Sequence, residues 1–303
     1  VPNVSIIIPH RQDDSRLEAT LVSVLENRPD DCEVIVVHDG CYRDPYSLRD
    51  EVIFVEEESG SGSVRLLNAG LRAACAPVVN VLLDGVVVAE GWTEGASALL
   101  SDPKHTTASV NLVDGKLVST GIVPLTRVRA SGLMRGEVEQ TRSNNLVSGP
   151  TLACGFYRRK QLLALDGWNE RLDLSVVDVE LAWIMQTLGL NCVAAEGAAV
   201  HLTGASHHQA SPVMLQQTAE LAVAFGISGG GAGAAMGDFA KGLLSGRMAG
   251  ATAWAKGLMN QRFTRSILAR LEAAKEQLAV QAEEAPDLRF YEGEASTAWR
   301  RAA

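Results

Sequence analysis

No CxxC pair occurs in this chain, and its five cysteines, Cys32, Cys41, Cys75, Cys154 and Cys192, are scattered and odd in number. That usage fits a reduced cytoplasmic setting better than a disulfide framework. No apolar stretch reaches the length of a membrane-spanning helix, because Val78 to Ala89 is interrupted at Asp84 and Gly85. No basic segment leads into an apolar core as in a signal peptide, so secretion is not expected. Cations are not in excess either. A formal net charge of -9 argues against general binding to nucleic acid or anionic lipid, and leaves open a nucleotide held by a few groups in a cleft. A glycine-rich loop is also missing after the first apolar run, where the chain has Pro9-His10-Arg11-Gln12. A dinucleotide oxidoreductase or nucleotidyltransferase would need that loop.

What is present is an ordinary globular composition over 303 residues, 47% apolar and 21% charged, enough for one large domain or a domain with an appendage. The first ninety residues alternate β-rich runs with helical periodicity, the signature of β-α-β units and a largely parallel sheet. Val4 to Ile8, Glu33 to Val37, Val52 to Val55 and the run ending at Asp84 read as strands. Leu17, Leu21, Val24 and Leu25 share one helix face, and Leu66 to Ala74 forms a second helix. Four strand exits therefore carry Pro9-His10-Arg11, His38-Asp39-Gly40, Glu56-Glu57-Glu58 and Asp84-Gly85 to one edge, the ordinary ligand edge of an open α/β sheet. Asp84 has no acidic neighbour there.

After Trp92 the alternation gives way to mixed sheet. A helix near Glu94 to Leu100 precedes strands at Ala108 to Val113 and Leu117 to Val123, joined by a hairpin at Asp114-Gly115. Pro124 to Val147 reads as a long surface loop. A helix at Arg159 to Leu165, a turn at Asp166-Gly167, a helix from Asp178 to Leu188 stopped by Gly189, and a strand from Asn191 to Val200 follow. The glycine-rich stretch at 229-233 reads as a hinge before an alanine-rich helical tail.

Asp39, Asp84 and the Pro9-His10-Arg11 turn suit a nucleotide, since carboxylates accept hydrogen bonds from a base or ribose. Asp178 and Glu180 open a helix, where the macrodipole favours the ionised form. Taken singly, Asp178 also reads as a plain first-turn acid and Asp39 as a turn former.

In order and spacing, Val4-Ser5-Ile6-Ile7-Ile8-Pro9, Glu33 to Gly40, Asn68-Ala69-Gly70 and Val81-Leu82-Leu83-Asp84 resemble the nucleotide-binding half of family-2 glycosyltransferases. Gly167-Trp168-Asn169-Glu170 resembles that family's Gly-Phe-Asp-Glu turn, Val177 to Leu181 its Glu-Asp-x-Asp-Leu helix start, and Ala199-Val200-His201 its terminal Val-x-His. Asp114-Gly115 with Thr120-Gly121 is similar to the rhamnosyltransferase-like branch. The resemblance spans residues 3-204. It implies an α/β, GT-A type Rossmann-like nucleotide-diphospho-sugar transferase fold, with a mixed central sheet flanked by helices and a helical C-terminal extension. The implied division is a GT-A domain at 1-210, comprising a nucleotide half at 1-92 and an acceptor half at 93-210, and an extension at 211-303.

The same resemblance implies an inverting enzyme with a nucleotide-sugar donor, a saccharide or lipid-linked acceptor and Asp178 as general base. It makes Asp39 the base contact, flanked by Pro9, His10 and Arg11. Asn68 and Asp84 join the donor side, and Trp168, Glu170 and Glu180 the acceptor side. Asp84 matches the first aspartate of Asp-x-Asp, which meets the donor and a divalent metal, Mn²⁺ or Mg²⁺. Val86 replaces the second aspartate, Val177 the glutamate before the base, and His38 the first aspartate of Asp-Asp-Gly. Loss of one oxygen ligand weakens such a metal site, and His201 beside Asp84 is a substitute ligand. It also reads as a rim histidine below the acceptor. These departures keep a second reading open, a degenerate non-catalytic relative that binds a nucleotide sugar or glycan.

Three features have plainer readings. Gly60-Ser61-Gly62-Ser63 with Arg65 is a flexible loop near the nucleotide, and His207-His208 a solvated turn. The tail from Gly237 carries Lys241, Arg247, Lys256, Arg262, Arg265, Arg270 and Lys275 among apolar residues. It reads as helices packed on the domain or on a second subunit of a homo-oligomer. The alternative is a peripheral contact with the inner membrane surface.

Overall fold

In a computed structural model the protein is described over residues 2-114, 116-122, 147-202, 212-225, 252, 256 and 259-284. The Pro124 to Val147 loop up to residue 146, the hinge at 229-233, His207-His208 and most of the basic tail before residue 259 lie outside those residues.

Four strands, β1 (Val4–His10), β2 (Cys32–His38), β3 (Val52–Glu56) and β4 (Val78–Leu82), form the parallel part of one mixed sheet. It continues through β5 (Val86–Val87), β6 (His105–Asp114), β7 (Lys116–Ser119), β8 (Cys154–Arg158) and β9 (Asn191–Leu202). The spatial order is β3-β2-β1-β4-β8-β6-β9-β5, with β7 beside β6. Strand β8 runs antiparallel to both β4 and β6, which turns a parallel half into a mixed sheet.

Helices cover both faces, so the inner strands are largely apolar on both sides. Ile6 and Ile8 of β1 face one cluster with α1 (Asp14–Asn27) and α3 (Glu94–Ser101). Ile7 faces the other, with α2 (Ser63–Ala73), α4 (Arg159–Ala164) and α5 (Val177–Thr187). This is strand alternation applied to a sheet that is buried twice. Gly70 on α2 is dictated by that packing, since a Cβ there would lie 2.4 Å from Ile7.

Several boundaries move from their sequence expectation. Strand β1 runs on through Pro9 and His10, pairing with Val37 and His38. A residue without an N–H is accommodated because the registered pairing with β4 has stopped at Ile7 and Val81. The Pro9-His10-Arg11 segment is therefore mostly strand rather than turn. Strand β7 ends at Ser119, after which Ile122 bridges Gly149. Gly115 is outside the described residues, although Asp114 pairs directly with Lys116.

Two further helices, α6 (Pro212–Ala224) and α7 (Gln261–Glu284), belong to the C-terminal extension. Their Leu221, Phe225, Ile267, Leu271 and Leu278, with Phe225 just past the end of α6, enter the same apolar cluster as α2, α4 and α5. Among the described residues no helix is long and apolar enough to cross a membrane.

Candidate active site

The C-terminal ends of the parallel strands hold the first group. His10, His38 and Glu56 stand in one register row across β1, β2 and β3. Three steps of the β1–β4 register beyond Ile7–Val81 bring the chain from β4 to Asp84 near His10. The His10 ring is fully buried, with Nδ1 3.2 Å from Asp84 Oδ2 and Nε2 2.9 Å from Asp14 Oδ1. Burial works to lower its pKa, but the bonds to Asp84 and Asp14 outweigh burial and hold it above the ordinary histidine value. Asp84, read from sequence as solitary, thus shares a histidine with a second carboxylate that the sequence reading passed over. His10 to Asp14 is an i, i+4 spacing across the β1–α1 junction. That spacing is the one sequence signal that could have found it.

Gly85 turns the chain at φ 86° and gives its N–H to Thr20 Oγ1 at 2.9 Å. The Arg16 guanidinium donates to the Asp84 carbonyl at 2.9 Å and would lie 2.4 Å from a Cβ at Gly85, so a side chain there would push Arg16 aside as well as meet the positive φ. Val86 then enters β5, 1% exposed, and pairs with Leu202. The residue in the place of the second aspartate is a core side chain.

Asp39 follows β2 at the same edge. Its Oδ2 accepts from Gly60 N at 3.3 Å and lies 3.6 Å from Arg11 Nε. Burial opposes its charge, but the Cys41 and Gly60 donors and Arg11 hold its carboxyl below the ordinary range. Gly60 belongs to the loop expected near the nucleotide, which is now tied to Asp39. His38 is buried beside Tyr42 and Phe54, and burial holds its pKa below the ordinary value. It packs as a neutral ring where an aspartate was expected.

Asp178 reaches the same rim from the other half. Residue Leu83 continues the β4–β8 pairing by donating to Ala153 O at 3.1 Å, and the next residue, Leu152, donates from its N–H to Asp178 Oδ2 at 3.1 Å. Asp178 Oδ1 accepts from Val179 N at 2.9 Å in the first turn of α5. The residue before Asp84 and the Asp178 carboxylate are therefore linked through two adjacent residues just ahead of β8. Asp178 is 1% exposed in this state.

The remaining expected residues are placed differently. Asn68 is buried, and its amide pairs with the Trp168 backbone in both directions, at 2.8 and 2.9 Å, and with Glu170 Oε1 at 3.0 Å. It ties α2 to the 167-170 turn, with both amide protons and one lone pair of its oxygen engaged there. Trp168 and Glu180 are fully buried, so neither presents a surface to an acceptor, while Glu170 is exposed. Burial raises the pKa of Glu180, against the opposing effects of Arg270 and Asn169. Arg270, from α7, was read only as part of a basic tail. Its partner could not be found by spacing, because 90 residues separate it from Glu180.

The donor set does not make a resident metal site by itself. Asp84 is one hard oxygen ligand with Oδ2 facing His10, Val86 is apolar and buried, and His201 is an exposed residue of β9 opposite Val87. Among the described residues no group of three or more His, Cys, Asp or Glu side chains is arranged to hold a metal ion. Divalent ions of the Mg²⁺ and Mn²⁺ type take several oxygens, so Asp84 and His201 alone do not fit one.

The profile described as Glycosyl transferase family 2 matches residues 5–163, a little over half of the chain. No curated protein matches it in sequence. Among solved structures it is similar to GalNAc-T7 with UDP, GalNAc and Mn²⁺, at a TM-score of 0.57 and 14% identity over 74% of this chain and 48% of that one. It is also similar to the mannosyltransferase PcManGT from Pyrobaculum calidifontis in complex with GDP-Man and Mn²⁺, at 0.52 and 19% over 99% and 84%. A third is S. aureus TarS 1-349 in complex with UDP, at 0.52 and 18% over 74% and 65%. The chain spans about half the length of GalNAc-T7. At these identities the likeness is one of fold, a GT-A fold.

Proposed function

The chain belongs to glycosyl transferase family 2, and from that premise we propose that it moves a sugar from a nucleotide-sugar donor to a hydroxyl of a saccharide or lipid-linked acceptor, with inversion. The nucleotide half at 1-92 takes the donor at Asp39, Arg11 and Asp84. The half at 93-210 takes the acceptor, and Asp178 is the general base. The acceptor oxygen attacks the anomeric carbon as its proton passes to Asp178, and the bond from that carbon to the diphosphate oxygen breaks. The nucleoside diphosphate leaves with the bonding pair. Backbone N–H groups on each Asp178 oxygen set the orientation of the carboxylate, and hydrogen bonds of this kind realign when substrate arrives.

The single observation that carries this reading is the link from Leu83, the residue before Asp84, through Ala153 and Leu152 to the Asp178 carboxylate. It supports a reading in which Asp84 serves the donor and Asp178 the acceptor. A binder without turnover is the second reading, favoured by the buried Val86. The test is a thermal-shift screen of UDP- and GDP-sugars with and without Mn²⁺, followed by donor hydrolysis and transfer assays on any hit. Stabilisation and turnover support the enzyme, and stabilisation with no turnover supports the binder. Stabilisation indifferent to Mn²⁺ agrees with the poor metal donor set.

A further inference from the structure

The part of the chain beyond the family match supplies a side chain to the acceptor-side framework. Helix α7 is seated by Ile267, Leu271 and Leu278 in the main core, and Gln281 donates to Lys160 O at 3.1 Å. From this fixed helix Arg270, 13% exposed, donates through Nη2 to Gly167 O at 2.6 Å. Its Nε lies 3.1 Å from Glu180 Oε1.

One of the two targets shares α5 with Asp178. Glu180 is two residues further along α5 and has no exposure at all. The Arg270 contact to it pairs charge at Oε1, which also accepts from Asn169 Nδ2 at 3.3 Å, and neither Arg270 Nε nor Glu180 Oε2 makes an aligned hydrogen bond. A carboxylate in that place, left without its cation, is strongly unfavourable. Gly167 opens the turn that Asn68 grips from the nucleotide half. The turn is thus held from two sides, by Asn68 on α2 and by Arg270 on α7.

We infer that Arg270 is a positioning residue, which through one guanidinium locks the 167-170 turn to the helix carrying Asp178 and makes α7 part of the catalytic unit. Its relevance to transfer rests on the role proposed for Asp178.

The test uses the full chain with Arg270→Met and Arg270→Lys. Hydrogen exchange is measured over 167-170 and the first turn of α5, alongside donor affinity, kcat and acceptor KM. Arg270→Met is expected to speed exchange in those two segments while β1 and β2 stay protected. It lowers kcat by about 10- to 100-fold with donor affinity kept, as loss of alignment does. Arg270→Lys recovers part of kcat. If Arg270→Met does not fold, Arg270→Met with Glu180→Leu removes the charge pair as a unit and is measured in its place. Unchanged exchange in the turn overturns the inference, and so does exchange that rises equally in every segment. If the exchange pattern appears but the wild type turns over no donor, the transfer reading fails and the lock stands.

Discussion

At the residue scale, the site is governed by what lies under its carboxylates. His10 is buried between Asp84 and Asp14, so replacing it leaves both carboxylates without their shared partner. His10→Leu is expected to destabilise the protein by about 2 kcal/mol in urea unfolding, the order of a lost charged hydrogen bond. Donor affinity should fall with it, because Asp84 is no longer held. Gly167 gives a second test. It has φ 62°, and a Cβ there would lie 2.4 Å from Asn68 Oδ1, whereas Gly60 has φ 83° with nothing within 4 Å. Gly60→Ala should cost about 1–2 kcal/mol for the left-handed backbone alone. Gly167→Ala should cost more, and the excess measures the Asn68 contact.

The residues legible in the sequence were those whose chemistry depends on position along a strand or helix. Asp39, Asp84 and Asp178 each sit at an element end, which periodicity and turn residues locate. His10, Asn68, Trp168 and Glu180 were placed near the site but not inside the protein, because burial depends on which elements cover them. Arg270 was invisible for the same reason, as its partners lie about 90 and 103 residues away.

At the element scale, side chains stitch strand ends to loops. Glu33 at the start of β2 accepts from Ser5 Oγ on β1 and from Cys75 N at 2.7 Å before β4. Burial opposes its charge, yet the Cys75, Ser5 and Ala76 donors hold its carboxyl below the usual range. Its folded pKa is lower than its unfolded one, so its stabilisation is present above about pH 4.5 and lost as pH falls through the folded value. Glu33→Gln is expected to cost about 1 kcal/mol at neutral pH. The difference from wild type should shrink in acid, read from urea midpoints between pH 7 and pH 3. Most elements were legible, since β1 to β4 and α1 to α5 appear where apolar periodicity put them. The end of β1 was not, because proline normally stops a strand and only the local end of β4 pairing permits it.

At the scale of the whole molecule, one sheet carries two cores and the C-terminal helices share one of them. Ile267 on α7 is 1% exposed in that core. Ile267→Ala should therefore lower the stability of the main unfolding transition by about 2–4 kcal/mol. An appendage would instead show a separate, earlier transition with the main one unmoved. The tail's amphipathic pattern reads as helices packed on the domain or on a second subunit, and it could not say which face of the domain receives α7, because that face is built by residues of α4 and α5 far away in sequence.

The central claim is that Asp178 takes the acceptor proton in sugar transfer from a nucleotide donor. It is tested most directly by single-turnover transfer at saturating donor with wild type and Asp178→Asn, with donor affinity measured on both. The expected result is unchanged donor affinity and a loss of about 10²- to 10⁴-fold in rate. An Asp178→Asn protein that transfers at the wild-type rate would contradict it.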